Sequence, residues 1–369
     1  MIESKYIYGI IAAPEERLFN SYRRNICEGV YTIPYQDISA IISDSQFVDY
    51  TNLPKHQIAR YLLSHQQVIE KIMDSYTIIP MKLGTYAFNI KEVEEILNRG
   101  YQTLKDMLMK INNKIEMDVV ATWNDLNSVI KEIGKGQEIK ELKEKLISKS
   151  EGVSLEDQIK IGGFIKNILD KNREKLASEI GDILGKASIG SRVHGLIDDR
   201  MIFNAAFLID KDKKAEFEGR LDDLNELYDK KIDFRCVGPL PTYSFYTVDV
   251  KKISFEDIEW ARGKLRLNNM ATKDEIIKAY RNKANLHHPD KNAGSMDAER
   301  QFNEISRAYK ILLECSDGDA DLFNEANRRH NDSKADENNL GEFSSENHLG
   351  QNAIIVKIKE QHMRQVENP

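Results

Sequence analysis

A chain of 369 residues with 31% charged and 41% apolar side chains is long enough for two or three domains and apolar enough to bury a core in each. Its formal net charge of -7 sets it apart from chains that grip nucleic acid through a basic surface, and its basic residues are scattered along helices rather than grouped with aromatics. Three isolated cysteines, Cys27, Cys236 and Cys315, form no disulfide framework and no CxxC metal pair, which fits a reducing, cytoplasmic setting; no run reaches the length of a membrane span, and MIESKYIYGII lacks the order of a signal peptide.

In chain order, residues 5–13 mix aromatic and β-branched side chains and read as a buried strand, with further strands at 30–35 and 38–42. Pro54 suits the first turn of a helix whose Ile58, Tyr61, Leu62, Val68, Ile69, Ile72 and Met73 keep one stripe and predict packing on the sheet. Residues 78–83 read as a strand edged by Pro80 and ended by Gly84. Asn89 is placed to cap a helix striped by Val93, Ile96, Leu97, Tyr101, Leu104, Leu108 and Ile111. A strand at 114–123 closes the first expected domain, 1–124.

Residues 125–190 read as a charged helical arm, with Ser154 and Asp157 at capping-box spacing. A second α+β domain is expected at 191–252: a strand at 201–209, a helix at 213–228 with Phe217, Leu221 and Leu224 inward, then strands at 232–237 and 243–250. That order suggests a ferredoxin-like or related open sheet. A helical module at 253–315 follows, then an acidic, Asn-rich linker at 316–351 expected to be disordered. The tail at 352–369 opens with NAIIVKI, a strand-like run suited to adding to a sheet edge. The fold class is therefore α+β: two small open-sheet domains covered by helices, joined by a helical arm and followed by an all-α module.

The helical module has the most specific pattern. Thr272 and Glu275 stand at capping-box spacing, and Ile276, Tyr280 and Ala284 share one helix face while Lys278 and Arg281, with Lys283 nearby, make a basic outer surface. Pro289 turns the chain at His288, and a second helix at 296–314 places Ala298, Phe302, Ile305, Tyr309 and Leu312 on one face. The match ATKDEIIKAYRNKANLHHPDKN followed by AERQFNEISRAYKIL resembles a J domain over about residues 255–313. That resemblance implies docking on a DnaK-type chaperone through His288, Pro289 and Asp290, with Lys278 and Arg281 as basic-face contacts. A basic helix would meet an acidic chaperone surface, where Asp290 disturbs a charge network. No Gly/Phe-rich linker and no CxxCxGxG repeats follow, and EWARGKLRL lacks the tyrosine-rich opening usual in the family.

Three more stretches, YIYGII, IIPMKLGTYAFNIKEVEEIL and FRCVGPLPTYSFYTVDV, are together similar to the GvpF/GvpL gas vesicle proteins over residues 5–250. The resemblance implies a minor shell component or assembly factor for hollow, gas-filled vesicles that give buoyancy. Its implied partners are the small hydrophobic shell protein, other gas vesicle accessory proteins and a DnaK-type chaperone, with no cofactor, nucleic acid or membrane. The alternative reading is a general J-type cochaperone with diverse clients.

Enzymatic chemistry is not expected. The eight histidines make no HExxH, and His287 and His288 lack a third ligand at zinc spacing. His65 lies on an apolar stripe and reads as a hydrogen-bonded core residue. Gly162 and Gly163 belong to no phosphate-binding loop, and the carboxylates are read as solvated helix faces. Arg192 and His194 in SRVHG suit either a polar site or, more plainly, an interdomain turn. No catalytic residue and no metal ligand is assigned.

Overall fold

β-branched and aromatic residues build the N-terminal sheet of the computed structural model, which describes residues 3–19, 29–147, 154–268, 271–292, 294–317, 352–360 and 364–365. The chain divides into two compact units, Met1–Leu108 with Val248–Lys359 and Met109–Thr247 with Glu360–Pro369. Both are α+β with antiparallel sheets.

In the first unit, β1 (Glu3–Ile11) lies between β4 (Ile38–Gln46) and β5 (Ile78–Pro80), with β2 (Leu18–Phe19) and β3 (Val30–Tyr35) beyond β4 and β6 (Tyr86–Ala87) also on β1. Gly9 sits where β1 slips register, and a Cβ there would stand 2.7 Å from Ile78 Cδ1 and 2.9 Å from the Ile79 carbonyl, so only glycine lets β5 approach. Ile7, Ile10, Ile11, Ile41 and Ile42 are fully buried, each contributing about 1.5–3 kcal/mol by leaving water. α2 (Ile90–Lys110) starts as its sequence predicts, with Asn89 Oδ1 accepting from the Glu92 amide at 3.0 Å, and buries Val93, Ile96, Leu97, Leu104 and Leu108.

α1 (Lys55–Met73) departs from its expected packing. Its apolar stripe is buried only from His65 onward, through Val68, Ile69 and Ile72; Tyr61 and Leu62 stand about 40% exposed.

The second unit corrects the expected division at residue 124. β7 (Lys114–Trp123) pairs with β9 (Met201–Asp210) on one side and β10 (Ile232–Leu240) on the other, not with the N-terminal sheet. With β8 (Gly190–Val193) and the short β13 (Arg364–Gln365), the order is β10-β7-β9-β8-β13. Its first four strands follow the ferredoxin-like plan, a βαββαβ unit whose first and third strands are central, so β7 is the missing first strand. Met117, Val119, Ala121 and Trp123 point into one core with Phe203, Phe207 and Phe217.

The helical arm is likewise part of this unit. α3 (Leu126–Gly134) and α4 (Gln137–Ile147) precede α5 (Leu155–Gly185), which begins in the predicted capping box and buries Leu169, Ile180 and Leu184 in the same core. α6 (Lys214–Leu227) adds Phe217, Leu221 and Leu224 from the same side. Charge on α5 hid an apolar stripe carried by only its later turns. SRVHG is strand β8 and its continuation rather than a turn: four residues give too short an alternation to read as a strand.

β11 (Tyr246–Ser254), expected in the ferredoxin-like sheet, pairs instead with β12 (Asn352–Glu360). α7 (Phe255–Leu265), α8 (Lys273–Leu286) and α9 (Met296–Asp317) follow β11, and Ile253, Ala353 and Ile355 of the two strands join the helices in one core with Ile258, Ile276 and Leu312. Over 352–360 the tail forms with β11 a two-stranded sheet of its own, while at 364–365 it pairs as β13 with the edge strand β8. Beyond Asp317 the expected acidic linker, and Cys27, lie outside the described residues. Among the described residues no helix is long and apolar enough to cross a membrane.

Candidate chaperone-contact site

The hairpin of α8 and α9 is positioned by its ends and its inner faces. Thr272 Oγ1 accepts from the Glu275 amide, and the Glu275 carboxylate accepts from the Thr272 amide at 2.8 Å, closing the predicted box. These bonds hold the Glu275 carboxyl below its ordinary range. Ile276 shares one core with Ile305, Ala308 and Leu312, Ala284 and Ala298 are also buried, and Tyr280 stacks on Tyr309 with ring centroids 4.2 Å apart.

Pro289 ends the helix, and the following turn is tied by backbone bonds from Lys291 and Asn292 to the His288 carbonyl at 3.0 and 3.1 Å. The Asp290 amide donates to His288 Nδ1 at 3.2 Å, so the ring proton sits on Nε2 in this arrangement. The imidazole packs edge-on against Phe302, centroids 5.6 Å apart. Asp290 is left outward with 87% of its side chain exposed, its Oδ2 3.5 Å from His288 Nδ1.

Lys278 and Arg281, three residues apart, are both exposed on one face of α8, and among the described residues neither has a carboxylate within ion-pair distance. The structure therefore places a solvated basic face and an outward carboxylate on the same hairpin. Lys283 does not belong to that face: it turns inward to donate to the Lys264 carbonyl at the end of α7, where burial and the charges of Arg266 and Lys264 lower its pKa. Asn292 was not picked out from sequence, yet its Nδ2 bonds the Leu286 carbonyl at 2.9 Å and the His288 carbonyl at 3.2 Å, clasping the turn. Its signal was the Asp-Lys-Asn run after Pro289, a side chain fitted to local backbone bonding.

Arg192 and His194 belong to a different, partly buried cluster. Arg192 Nη1 donates to the Ser244 carbonyl at 2.7 Å, and His194 Nε2 lies 3.4 Å from Ser244 Oγ. The Ser244 amide and hydroxyl both donate to the Glu116 carboxyl, at 2.8 and 2.7 Å. Glu116 is buried on β7, contrary to the expectation that the carboxylates all lie on solvated helix faces. Burial, and then the nearby Asp118, push its pKa up. This cluster pins the 242–244 segment against the open sheet face. Among the described residues no three His, Cys, Asp or Glu side chains gather in a metal-binding group.

Against known proteins, the family described as gas vesicle synthesis protein GvpL/GvpF matches residues 4–247, more than half of the sequence. The chain belongs to the GvpL/GvpF family. Gas vesicle protein F of Haloferax mediterranei is 22% identical over 253 residues, covering 68% of this chain and 96% of that protein. The crystal structure of GvpF from Anabaena sp. PCC7120 superposes with a TM-score of 0.56 at 22% identity, covering 66% of this chain and 97% of that one, which shows the shared fold. The family region ends before the hairpin, where a DnaJ domain matches residues 263–317. Chaperone protein DnaJ of Protochlamydia amoebophila is 53% identical there over 58 residues, 16% of this chain and 13% of that protein. This GvpL/GvpF member thus carries a J domain, associating it with gas vesicles and linking it to chaperones.

Proposed function

We propose that the chain is a non-enzymatic gas vesicle assembly factor that binds the small hydrophobic shell protein and recruits a DnaK-type chaperone to it through the α8–α9 hairpin. The observation that carries this reading is the joining, in one polypeptide, of a GvpL/GvpF region with a hairpin that presents Asp290 outward beside an unpaired Lys278 and Arg281 face. A shell subunit with an apolar surface aggregates before it is incorporated, so a factor that shields it and hands it on answers a solubility problem. Coupling to ATP-driven chaperone cycles gives that hand-over a direction.

The test is Asp290→Asn in the full-length chain. Loss of chaperone ATPase stimulation together with reduced vesicle yield is expected, because the substitution removes one charge and keeps the turn. Unchanged stimulation and unchanged yield sink the recruitment half of the proposal.

A further inference from the structure

Strand β10 closes one side of the second unit's sheet, and among the described residues no strand pairs with its outer edge. The Asn124 amide donates to the Lys231 carbonyl at 3.0 Å, which turns the backbone of Lys231 toward β7. By the two-residue period of an antiparallel ladder, Asp233, Arg235 and Val237 turn the same way, and the N–H and C=O groups of Ile232, Phe234 and Cys236 point outward. Proteins blunt such an edge with proline, lysine or a bulge. Residues 232–237 contain neither proline nor lysine, and the irregularity in the β10–β7 register falls only after Val237, at Gly238 and Pro239.

The side chains of this edge are self-complementary. Phe234 and Cys236 pack against the core that α5 and α6 cover, so Asp233, Arg235 and Val237 lie on the opposite face of the sheet, where all three are exposed. Asp233 and Arg235 sit two residues apart on that face, yet among the described residues neither has an opposite charge within ion-pair distance. A second copy related by a two-fold axis lays its own β10 antiparallel along the edge. Outward groups meet only outward groups, so the axis must pass between one residue and its own copy.

Charge then selects the residue. Centred on Asp233, the ladder sets carboxylate against carboxylate; centred on Arg235, it sets guanidinium against guanidinium. A centre at Ile232 draws in Asp229 and Lys230, whose positive φ takes them out of the strand. With Cys236 at the centre, Asp233 faces Pro239 within the irregularity. Centred on Phe234, Asp233 of each copy faces Arg235 of the other at the closely spaced, non-hydrogen-bonded positions, and the Lys231 stem covers Val237, 40% exposed in the single chain.

We infer that β10 is a self-recognition edge: a second copy of the chain pairs with it antiparallel about a two-fold axis at Phe234, joining the two sheets through reciprocal Asp233–Arg235 pairs. The backbone ladder supplies the affinity, and the two charge pairs set the register. This contact does not depend on the proposed function.

The experiment is sedimentation velocity on the full-length chain from about 1 to 100 μM, with thermal melting of each variant. Wild type is expected to dimerise within that range. Asp233→Arg alone and Arg235→Asp alone each turn both cross-strand pairs into like-charge pairs. Each is expected to weaken association about tenfold or more, with an unchanged melting temperature because both side chains are exposed. Salt at about 0.5 M is expected to narrow the gap to wild type. Asp233→Arg combined with Arg235→Asp reverses every pair while keeping opposite charges face to face, and is expected to dimerise as wild type does. A wild type that stays monomeric at the top of the range overturns the inference. A dimer that all three variants leave unchanged lies elsewhere on the molecule and also overturns it, as does a double variant that associates no better than the single ones.

Discussion

His65 Nδ1 sits 2.8 Å from the Tyr6 hydroxyl, while its Nε2 lies 3.0 Å from the Met81 carbonyl. The carbonyl only accepts, so Nε2 carries the proton and Nδ1 accepts from Tyr6. This ties α1 to β1 and to the segment after β5 through one neutral, buried ring, as the apolar stripe predicts for that residue.

Burial lowers the His65 pKa from 6.5 to about 4. The unfolded chain therefore binds a proton that the folded chain refuses, so stability is full above pH 6.5 and declines as pH falls toward 4. Between pH 6.5 and 5 this group alone removes about 1.5 kcal/mol, its slope approaching 1.36 kcal/mol per pH unit only once the unfolded ring is mostly protonated. Denaturant titrations at both pH values measure the loss. His65→Asn is expected to be less stable at pH 7 and to show a shallower decline into acid.

Glu116 gives the opposite sign. Its folded pKa is raised, so the folded state holds a proton the unfolded chain gives up, and stability declines as pH rises from the ordinary carboxyl range toward the raised value. Glu116→Gln keeps an acceptor for Ser244 and carries no charge. The variant is expected to be at least as stable as wild type at pH 8 and to lose the alkaline decline; a steeper decline than wild type contradicts this assignment.

Gly100 of α2 reports on the docking of β12. Glycine to alanine in a helix ordinarily adds about 1 kcal/mol of stability. Here the added Cβ would lie 2.8 Å from Val356 Cγ1 and 2.9 Å from Leu104 Cδ1. Gly100→Ala is therefore expected to give no gain, or to destabilise, and Val356→Ala is expected to make the same substitution less costly in the double variant, with Leu104 still in contact. The coupling is read from a double-mutant cycle of denaturation free energies.

Asn292 holds the hairpin turn without touching a partner-facing atom of Asp290. Asn292→Ala removes one exposed and one partly buried hydrogen bond and is expected to cost about 1 kcal/mol of module stability. It is also expected to weaken chaperone ATPase stimulation by lowering turn occupancy, so stimulation should recover in part on cooling. Asp290→Asn should show no such recovery.

What could be read from sequence was local. The Thr272 box, the Asn89 cap and the Ser154 box each depend on residues three apart, and all three form. What escaped was partnership. The alternation in 114–123 shows two faces but not which neighbour pairs its edges, and β7 lies a long helical stretch from β9. The same gap misplaced β11, whose partner comes 98 residues after its last residue. The α1 stripe predicted a buried face, but periodicity records that a face is apolar, not whether the fold supplies enough surface to cover it. Glu116 was lost among the carboxylates because a buried acid and a solvated one look alike without the Ser244 donors.

The return of β12 to β11 anchors the three-helix module at both of its ends, once through the peptide continuing from β11 and once through a strand that comes back after 34 further residues. A protease that nicks the chain once between Asp317 and Asn352 separates two fragments on a denaturing gel and leaves a single particle on a native one, because the short fragment stays held by a backbone ladder and by Ala353 and Ile355 inside the module. Shedding the tail takes unzipping as well as cutting.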